Sequence, residues 1–281
     1  MKHSRHVMLS GSGLYFIGLI LVGIGMHLSG YDSVGDVDTS RRYASLSLEH
    51  PLGTDGYGRD ILMLLMNGVR AFFLPGILAA MITAFFGALL GGVCGYLEGP
   101  VKKLLLSGLR LLDALPRLVM LILLCSITQP SMLLIAIAVG VLFIPTLARS
   151  VQHKVEALAA EDYILAYKAH GFSAVRIVAY HIIWMICRPV IIRQAAYVFG
   201  YVLFIETALS YLEFGVLEGV EEVLSWGTMV AQAKNVSGSW APAVGEAHIL
   251  GLYWLAPAIA IVVTTACILG LGNRYAKDGE Q

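Results

Sequence analysis

The sequence predicts an all-α protein that crosses a membrane several times, in about six spans. Two observations carry the prediction. Hydrophobic residues make up 58% of the chain and charged residues only 14%, with a mean hydropathy of +0.76. A soluble domain carries about 25% charged residues, so this chain has too little polar surface to face water all round. The apolar residues also gather in runs close to the ~20 residues that a helix needs to cross a ~30 Å hydrocarbon core. The 19 basic and 19 acidic residues cancel, so no bulk field favours nucleic acid or an acidic ligand.

The runs fall in order along the chain. The first, 14–28, follows a basic start with Lys2 and Arg5. A secretory signal starts the same way, but no small-residue cleavage site follows, so a retained anchor is expected. The second, 71–97, is glycine-rich: Gly87, Gly91, Gly95 and Gly99 repeat every four residues, with Ala80, Ala84 and Ala88 nearby. That is a small-residue face for close helix packing. The third run is 109–128, followed by a turn at Gln129-Pro130-Ser131. The fourth is 132–148, where Pro145 predicts a kink. A polar island, 149–193, comes next and reads as a short helix, a glycine hinge at Gly171 and a second helix. Gly171 can take the left-handed conformation that ends a helix, and Ser173 is placed to cap the next one. The fifth and sixth runs are 190–211 and 249–271.

Charge orients the spans. With the N-terminus inside, the inner side receives Lys102, Lys103, Arg149, Lys154, Lys168, Arg176, Arg188, Arg193, Arg274 and Lys277, while the outer side holds Arg41, Arg42, Arg59 and Lys234. The bias follows the positive-inside rule. Most acids fall outside, among them Asp55, Asp60, Glu213, Glu218, Glu221, Glu222 and Glu246. An even number of spans then puts both termini and the polar island in the cytoplasm. The organisation expected is a tail and anchor (1–28), an outer loop (29–70) and a transmembrane domain (71–281) carrying the cytoplasmic segment 150–189.

Few side chains suggest chemistry. Glu206 lies inside the fifth run, where a carboxylate must face protein or a water path rather than lipid; it is a candidate for the translocation route or a helix-packing contact. Asp113 and Arg117 are four apart and can pair on one helical face. The histidines are too dispersed to hold a metal, and the four cysteines have neither disulfide nor metal spacing and read as small buried hydrophobes. No Gly-Lys pair exists in the chain, so no P-loop can cradle ATP phosphates. No catalytic residue, cofactor site or metal site is expected in this chain.

Several stretches resemble one family. His50-Pro51-Leu52-Gly53-Thr54-Asp55-Gly56-Tyr57-Gly58-Arg59-Asp60 is similar to the opening signature of the second permease of dipeptide, oligopeptide and nickel importers in the ATP-binding-cassette superfamily. Asn67-Gly68-Val69-Arg70, Gly95-Tyr96 with Gly99, and Arg110-Leu111-Leu112-Asp113-Ala114-Leu115-Pro116 continue it. Glu206-Thr207-Ala208-Leu209-Ser210-Tyr211 resembles the family's EAALSF, and Ser225-Trp226-Gly227-Thr228-Met229 its SWGNM. Asp162-Tyr163-Ile164-Leu165-Ala166-Tyr167-Lys168-Ala169-His170-Gly171 falls where these permeases carry EYVEAARALG, and His181 matches the histidine of RHILP. Leu165 and Tyr167 depart from that motif, Trp184 stands for its proline, Glu213 for a glycine, and 226–257 is about ten residues longer, adding a loop with Ser237-Gly238-Ser239-Trp240.

The resemblance implies the type I importer permease fold in the bacterial inner membrane. It implies a coupling helix, with Asp162, Leu165, Ala166, Tyr167, Ala169, His170, Gly171 and His181, seated on an ATPase subunit. The implied partners are a second homologous permease, two ATPases that bind ATP and Mg, membrane lipid, and a periplasmic or lipid-anchored binding protein that delivers cargo to 29–68 and 213–248. The implied cargo is a peptide, nickel or a related small solute, and the chain itself is non-catalytic. The rival reading is an ion-coupled secondary transporter using Glu206 or Asp113. It predicts inverted repeats, which the two halves do not display.

Overall fold

The computed structural model describes residues 11–30, 37–128, 131–159, 161–212, 214, 224–239 and 247–278. Among them every regular element is helical. We label the helices α1 (Gly11–Ser29), α2 (Ile61–Tyr96), α3 (Pro100–Ala114), α4 (Arg117–Ile127), α5 (Met132–Ala159), α6 (Asp162–Ala169), α7 (Ala174–Tyr211), α8 (Trp226–Ser239) and α9 (Ala247–Asp278). Four described helices are long and apolar enough to cross a membrane: α2, α5, α7 and α9. Two shorter apolar ones, 11–26 and 117–127, complete the six expected places.

The ends of the spans differ from expectation for local reasons. α2 starts at Ile61 rather than 71, because the Asp60 carboxylate accepts the Leu62 and Met63 backbone N–H groups at 2.7 and 3.1 Å, satisfying donors that a helix start leaves open. The third span is not one helix. It breaks at Leu115, whose ψ of 131° is extended, as the residue before Pro116 must avoid the helical region. α5 runs through Pro145 without a break and on to Ala159; its last turns contain no breaker, and Val151 and Val155 are fully buried. The second helix of the polar island and the fifth span are one element, α7, of 38 residues. Its stretch Ile177–Cys187 is π-helical, and this wider turn ends just before Arg188-Pro189, so the missing proline N–H falls at a change of register. The stretch after Trp226, expected as a loop, is the helix α8 through Ser239; Trp240 lies outside the described residues. Glu213, Glu218, Glu221, Glu222 and Glu246, and with them residues 215–223 and 240–246 of the expected cargo-facing loop, also lie outside them, as do Lys2, Arg5, Gln129 and Pro130.

Close approach of α2 and α5 centres the fold. A Cβ on Gly87, Gly91 or Gly95 would stand 2.8 Å from the Leu147 side chain, 2.5 Å from the Ala148 carbonyl oxygen and 2.6 Å from Val155. The helices therefore touch backbone to side chain, the packing that replaces the hydrophobic drive in lipid. Thr83 Oγ1 donates to the Gly140 carbonyl at 2.8 Å across the same seam. Gly99, with φ +91°, belongs to the turn before α3 and leaves the row. One side of this pair packs with α4 and α7 around Leu121, Ile135, Phe143, Val202 and Ile205. On the other, α1, α8 and α9 close over Phe72, Phe199, Leu203 and Trp226, and the Tyr15 hydroxyl bonds Thr264 Oγ1 at 2.8 Å.

Candidate functional site

The polar island folds into an exposed knuckle on a fixed base. Ile164, on α6, is fully buried and packs with Leu147, Val151, Val155, Ile177 and Ile182. That anchors α6 to the adjoining ends of α5 and α7. Gly171 then turns the chain at φ +78°, with nothing within 4 Å of where a Cβ would stand. Glycine is needed there for its conformation, not for space. Phe172 N donates to the Tyr167 carbonyl at 3.1 Å. Ser173 Oγ accepts the Arg176 N–H at 3.4 Å and caps α7, as the sequence predicts.

Three rings lock the turn. Tyr167 stacks on His181 with centroids 4.3 Å apart and planes at 21°. Phe172 stands edge-on to Tyr167 at 5.5 Å and to His181 at 5.9 Å, and the Arg176 guanidinium lies 5.1 Å over the Phe172 ring. Tyr167, which departs from the family's small residue, thus fills the space beside His181. Asp162, at the start of α6, and Ala169, His170 and Gly171, at its end and in the turn, are exposed. The side chains of Leu165 and Ala166 lie outside the described set. Of the predicted coupling residues, Tyr167 and His181 are brought together, and Asp162, Ala169, His170 and Gly171 are exposed. Sequence reasoning missed the stack, although the aromatic residues flanking Gly171 signalled it.

Glu206 belongs to a different place, roughly 35 Å along α7 from His181. It is 3% exposed. Its Oε1 accepts from Ser210 Oγ at 2.9 Å and from Ser225 Oγ, while Oε2 has no hydrogen-bond partner of good geometry among the described residues. Ser225 also caps α8, accepting the Thr228 N–H at 3.0 Å. Gly227 gives the carboxylate room: a Cβ there would stand 2.5 Å from Oε2 and 2.7 Å from Thr207 Cα. Beside it, Trp226 Nε1 donates to the Leu65 carbonyl at 2.7 Å and its ring covers Gly68. The EAALS-like and SWG-like stretches therefore meet, pinning α8 to α7 and α2.

Two further clusters explain motif residues. In the loop before α2, Asp55 and Arg59 are 2% and 4% exposed; Arg59 Nε donates to Asp55 Oδ2 at 2.8 Å, and the Tyr57 and Arg59 N–H groups donate to Oδ1. His50 Nδ1 lies 2.8 Å from Asp60 Oδ2. Gly58, at φ +79°, lies against the Asp38 carbonyl and has no room for a side chain. Around the break between α3 and α4, Asp113 pairs with Arg117 at 3.1 Å and with Arg149. Arg117 also donates to Thr146 Oγ1 at 2.6 Å and stacks 4.0 Å over Phe143. The predicted Asp113–Arg117 pair is present, and Arg149 extends it to α5.

Residues 84–275 match the family described as binding-protein-dependent transport system inner membrane component. The chain belongs to this permease family. It is similar to the dipeptide transport system permease protein DppC of Alkalihalophilus pseudofirmus, at 31% identity over 79% of the chain and 72% of the relative. It is also similar to DppC of Bacillus subtilis, at 28% over 96% and 81%. The oligopeptide transport system permease protein OppC of Lactococcus lactis subsp. cremoris is 28% identical over 100% of the chain and 92% of its own length. The permease is thus a multi-pass membrane component of a transport system and not an enzyme, with the type I importer permease fold that the motifs imply.

Proposed function

We propose that this chain is one half of the pore of an ATP-driven peptide importer, paired with a second homologous permease and driven by two separate ATPase subunits. The observation that carries the proposal is the knuckle. An exposed tip on a buried, ring-locked base between two long spans can receive a push from a soluble partner and pass it to both spans. Asp162, Ala169, His170 and Gly171 form the face offered to the ATPase, with Leu165 and Ala166 in the same helix; Tyr167 and His181 stiffen it. In this reading both termini and the knuckle are cytoplasmic, and the loop before α2 faces the periplasm, where a binding protein delivers cargo. ATP closes the ATPase pair and biases the spans toward the outward-facing state; hydrolysis resets it.

The names of the relatives favour peptides over nickel as cargo. In the same proposal, Glu206 reaches the path only if α8 swings away from α7, since the two helices now enclose it. The test is purification of the tagged chain from its native membrane in mild detergent, with co-purifying chains identified by mass spectrometry. Recovery of a second permease and P-loop ATPases is expected. A chain that runs alone even after crosslinking refutes the importer mechanism and moves Glu206 to the centre of an ion-coupled one.

A further inference from the structure

The outer half of α7 runs from Arg193 to Tyr211. Every exposed position in it, Arg193, Tyr197, Phe204 and Tyr211, falls on one stripe, which the half-buried Tyr201 and Ala208 complete. At helical spacing these residues fall within about 80° of one another. The stripe runs roughly 27 Å along the axis, nearly the ~30 Å of a hydrocarbon core. Its rings form a continuous ladder. Tyr197 and Tyr201 lie 6.3 Å apart at 22°, Tyr201 and Phe204 6.0 Å apart. Phe143 supports both tyrosines from behind, at 5.6 and 4.8 Å, and carries the Arg117 guanidinium on its other side. Glu206 points the opposite way, about 180° around the helix from the centre of this stripe.

The outward faces of α9 and α1 look different. The exposed large hydrophobic residues of α9 are Leu255, Ile259, Val262 and Val263, and those of α1 are Leu14, Ile17, Leu21, Ile24 and Leu28; the exposed polar residues of α9, Asn273, Arg274 and Lys277, gather at its end. Those faces suit lipid. The α7 stripe does not: it begins with an arginine and carries two phenols, Tyr197 and Tyr201, that have no hydrogen-bond partner among the described residues. Beside its inner end a cleft of about 310 Å³ opens, lined by Arg193, Gln194, Tyr197, Leu269 and Asn273. Exposed polar groups at membrane depth must face protein or water. Tight helix seams use small residues, as this chain does at Gly87, Gly91 and Gly95. The three consecutive rings of Tyr197, Tyr201 and Phe204 instead hold a neighbouring helix away and leave a gap.

We propose that this stripe is the chain's wall of the solute path, and that it contacts a passing peptide through ring faces and the Tyr197 and Tyr201 hydroxyls. Ring faces accept any side chain, and phenols exchange hydrogen bonds with any main-chain amide, so the wall is indifferent to peptide sequence. The cargo half of this inference rests on the peptide-importer reading; the water-lined path does not.

The test uses the assembled transporter in native membrane vesicles carrying Cys267→Ser, the other three cysteines being buried. Single cysteines replace Tyr197, Tyr201 or Phe204, and, for comparison, Ile259 or Val262. A charged methanethiosulfonate is expected to modify the α7 positions at least about tenfold faster, because the reaction needs a thiolate, which lipid suppresses. A mixture of short peptides with ATP is expected to slow labelling at Tyr201→Cys. Equal rates on the two faces overturn the path, whatever the cargo. Fast labelling that peptides fail to slow, in vesicles that accumulate them, overturns the cargo contact. Fast labelling in vesicles that accumulate no peptide supports the path and counts against the importer's cargo.

Discussion

Gly171 offers the sharpest test of the knuckle. Its φ of +78° is one that L side chains rarely adopt, yet no atom lies within 4 Å of a Cβ built there. Substitution therefore meets a conformational penalty and no clash. For alanine the left-handed conformation costs about 1–2 kcal/mol, which opens the turn about 5–30-fold more often. Asparagine tolerates that region and should cost less. Proline, locked near φ −65°, cannot occupy the turn at all. Uptake should fall in the order Gly, Asn, Ala, Pro, with Gly171→Pro abolishing transport while the protein still inserts. The assay measures uptake and cargo-stimulated ATP hydrolysis in membranes matched for permease content. Normal uptake by a stably inserted Gly171→Pro variant would refute the reasoning, and so would a series in which Asn is worse than Ala.

Three other substitutions test the packing, each read as thermal unfolding of the detergent-solubilised protein. Glu206→Ala leaves the Ser210 and Ser225 hydroxyls without their acceptor and should cost about 1–3 kcal/mol, whereas Glu206→Gln keeps an acceptor oxygen and should cost less than half as much; equal losses would remove the hydrogen bonds from the explanation. Asp55→Ala strands the buried Arg59 guanidinium and should cost about 3–5 kcal/mol, so a loss below 1 kcal/mol would mean the pair is solvated. Gly91→Ala drives a Cβ to 2.5 Å from the Ala148 carbonyl and should cost about 1–3 kcal/mol by overpacking; an unchanged melting temperature would show that α2 and α5 separate freely.

Features fixed by neighbouring residues were legible in the sequence. Six apolar places were visible because hydropathy is a property of each segment alone. Gly171 and Ser173 were visible for the same reason, since a hinge and its cap are adjacent in the chain. Helix ends were less so: the start of α2 depends on the Asp60 cap, and α5 outruns its apolar stretch because Val151 and Val155 find partners on α6 and α7. The break at Pro116 was available from the restriction on Leu115, but an apolar run conceals it. The contacts that make the sites were the least legible. Tyr167 meets His181 only after the chain has reversed at Gly171, and Ser225 meets Glu206 across a separation of 19 residues, too far for any local pattern to specify.

α7 joins these sites mechanically. One end enters the ring-locked knuckle through Phe172 and His181; the other holds the start of α8 through Glu206, which accepts from Ser225. The 38 residues between form a single helix, so under the importer reading a push at the knuckle has two ways to travel. If α7 moves as a rigid rod, the knuckle and the Glu206 cluster shift together, and the aromatic stripe swings with them. If the π-helical stretch at Ile177–Cys187 converts to α-helix, the outer part of α7 rotates relative to the knuckle, because the surplus residue of a π turn must be absorbed along the axis. The packing favours the second route. Within that stretch Ile177, Ile182 and Cys187 are buried while Tyr180, Trp184 and Met185 are exposed, so one side is free to turn. The outer half buries Val198, Val202, Ile205, Glu206 and Leu209 against its neighbours, and it rotates together with them. The adjustable part of α7 thus begins within the knuckle, since His181 lies in the π-helical stretch, and the rigid part carries the stripe and the Glu206 clasp.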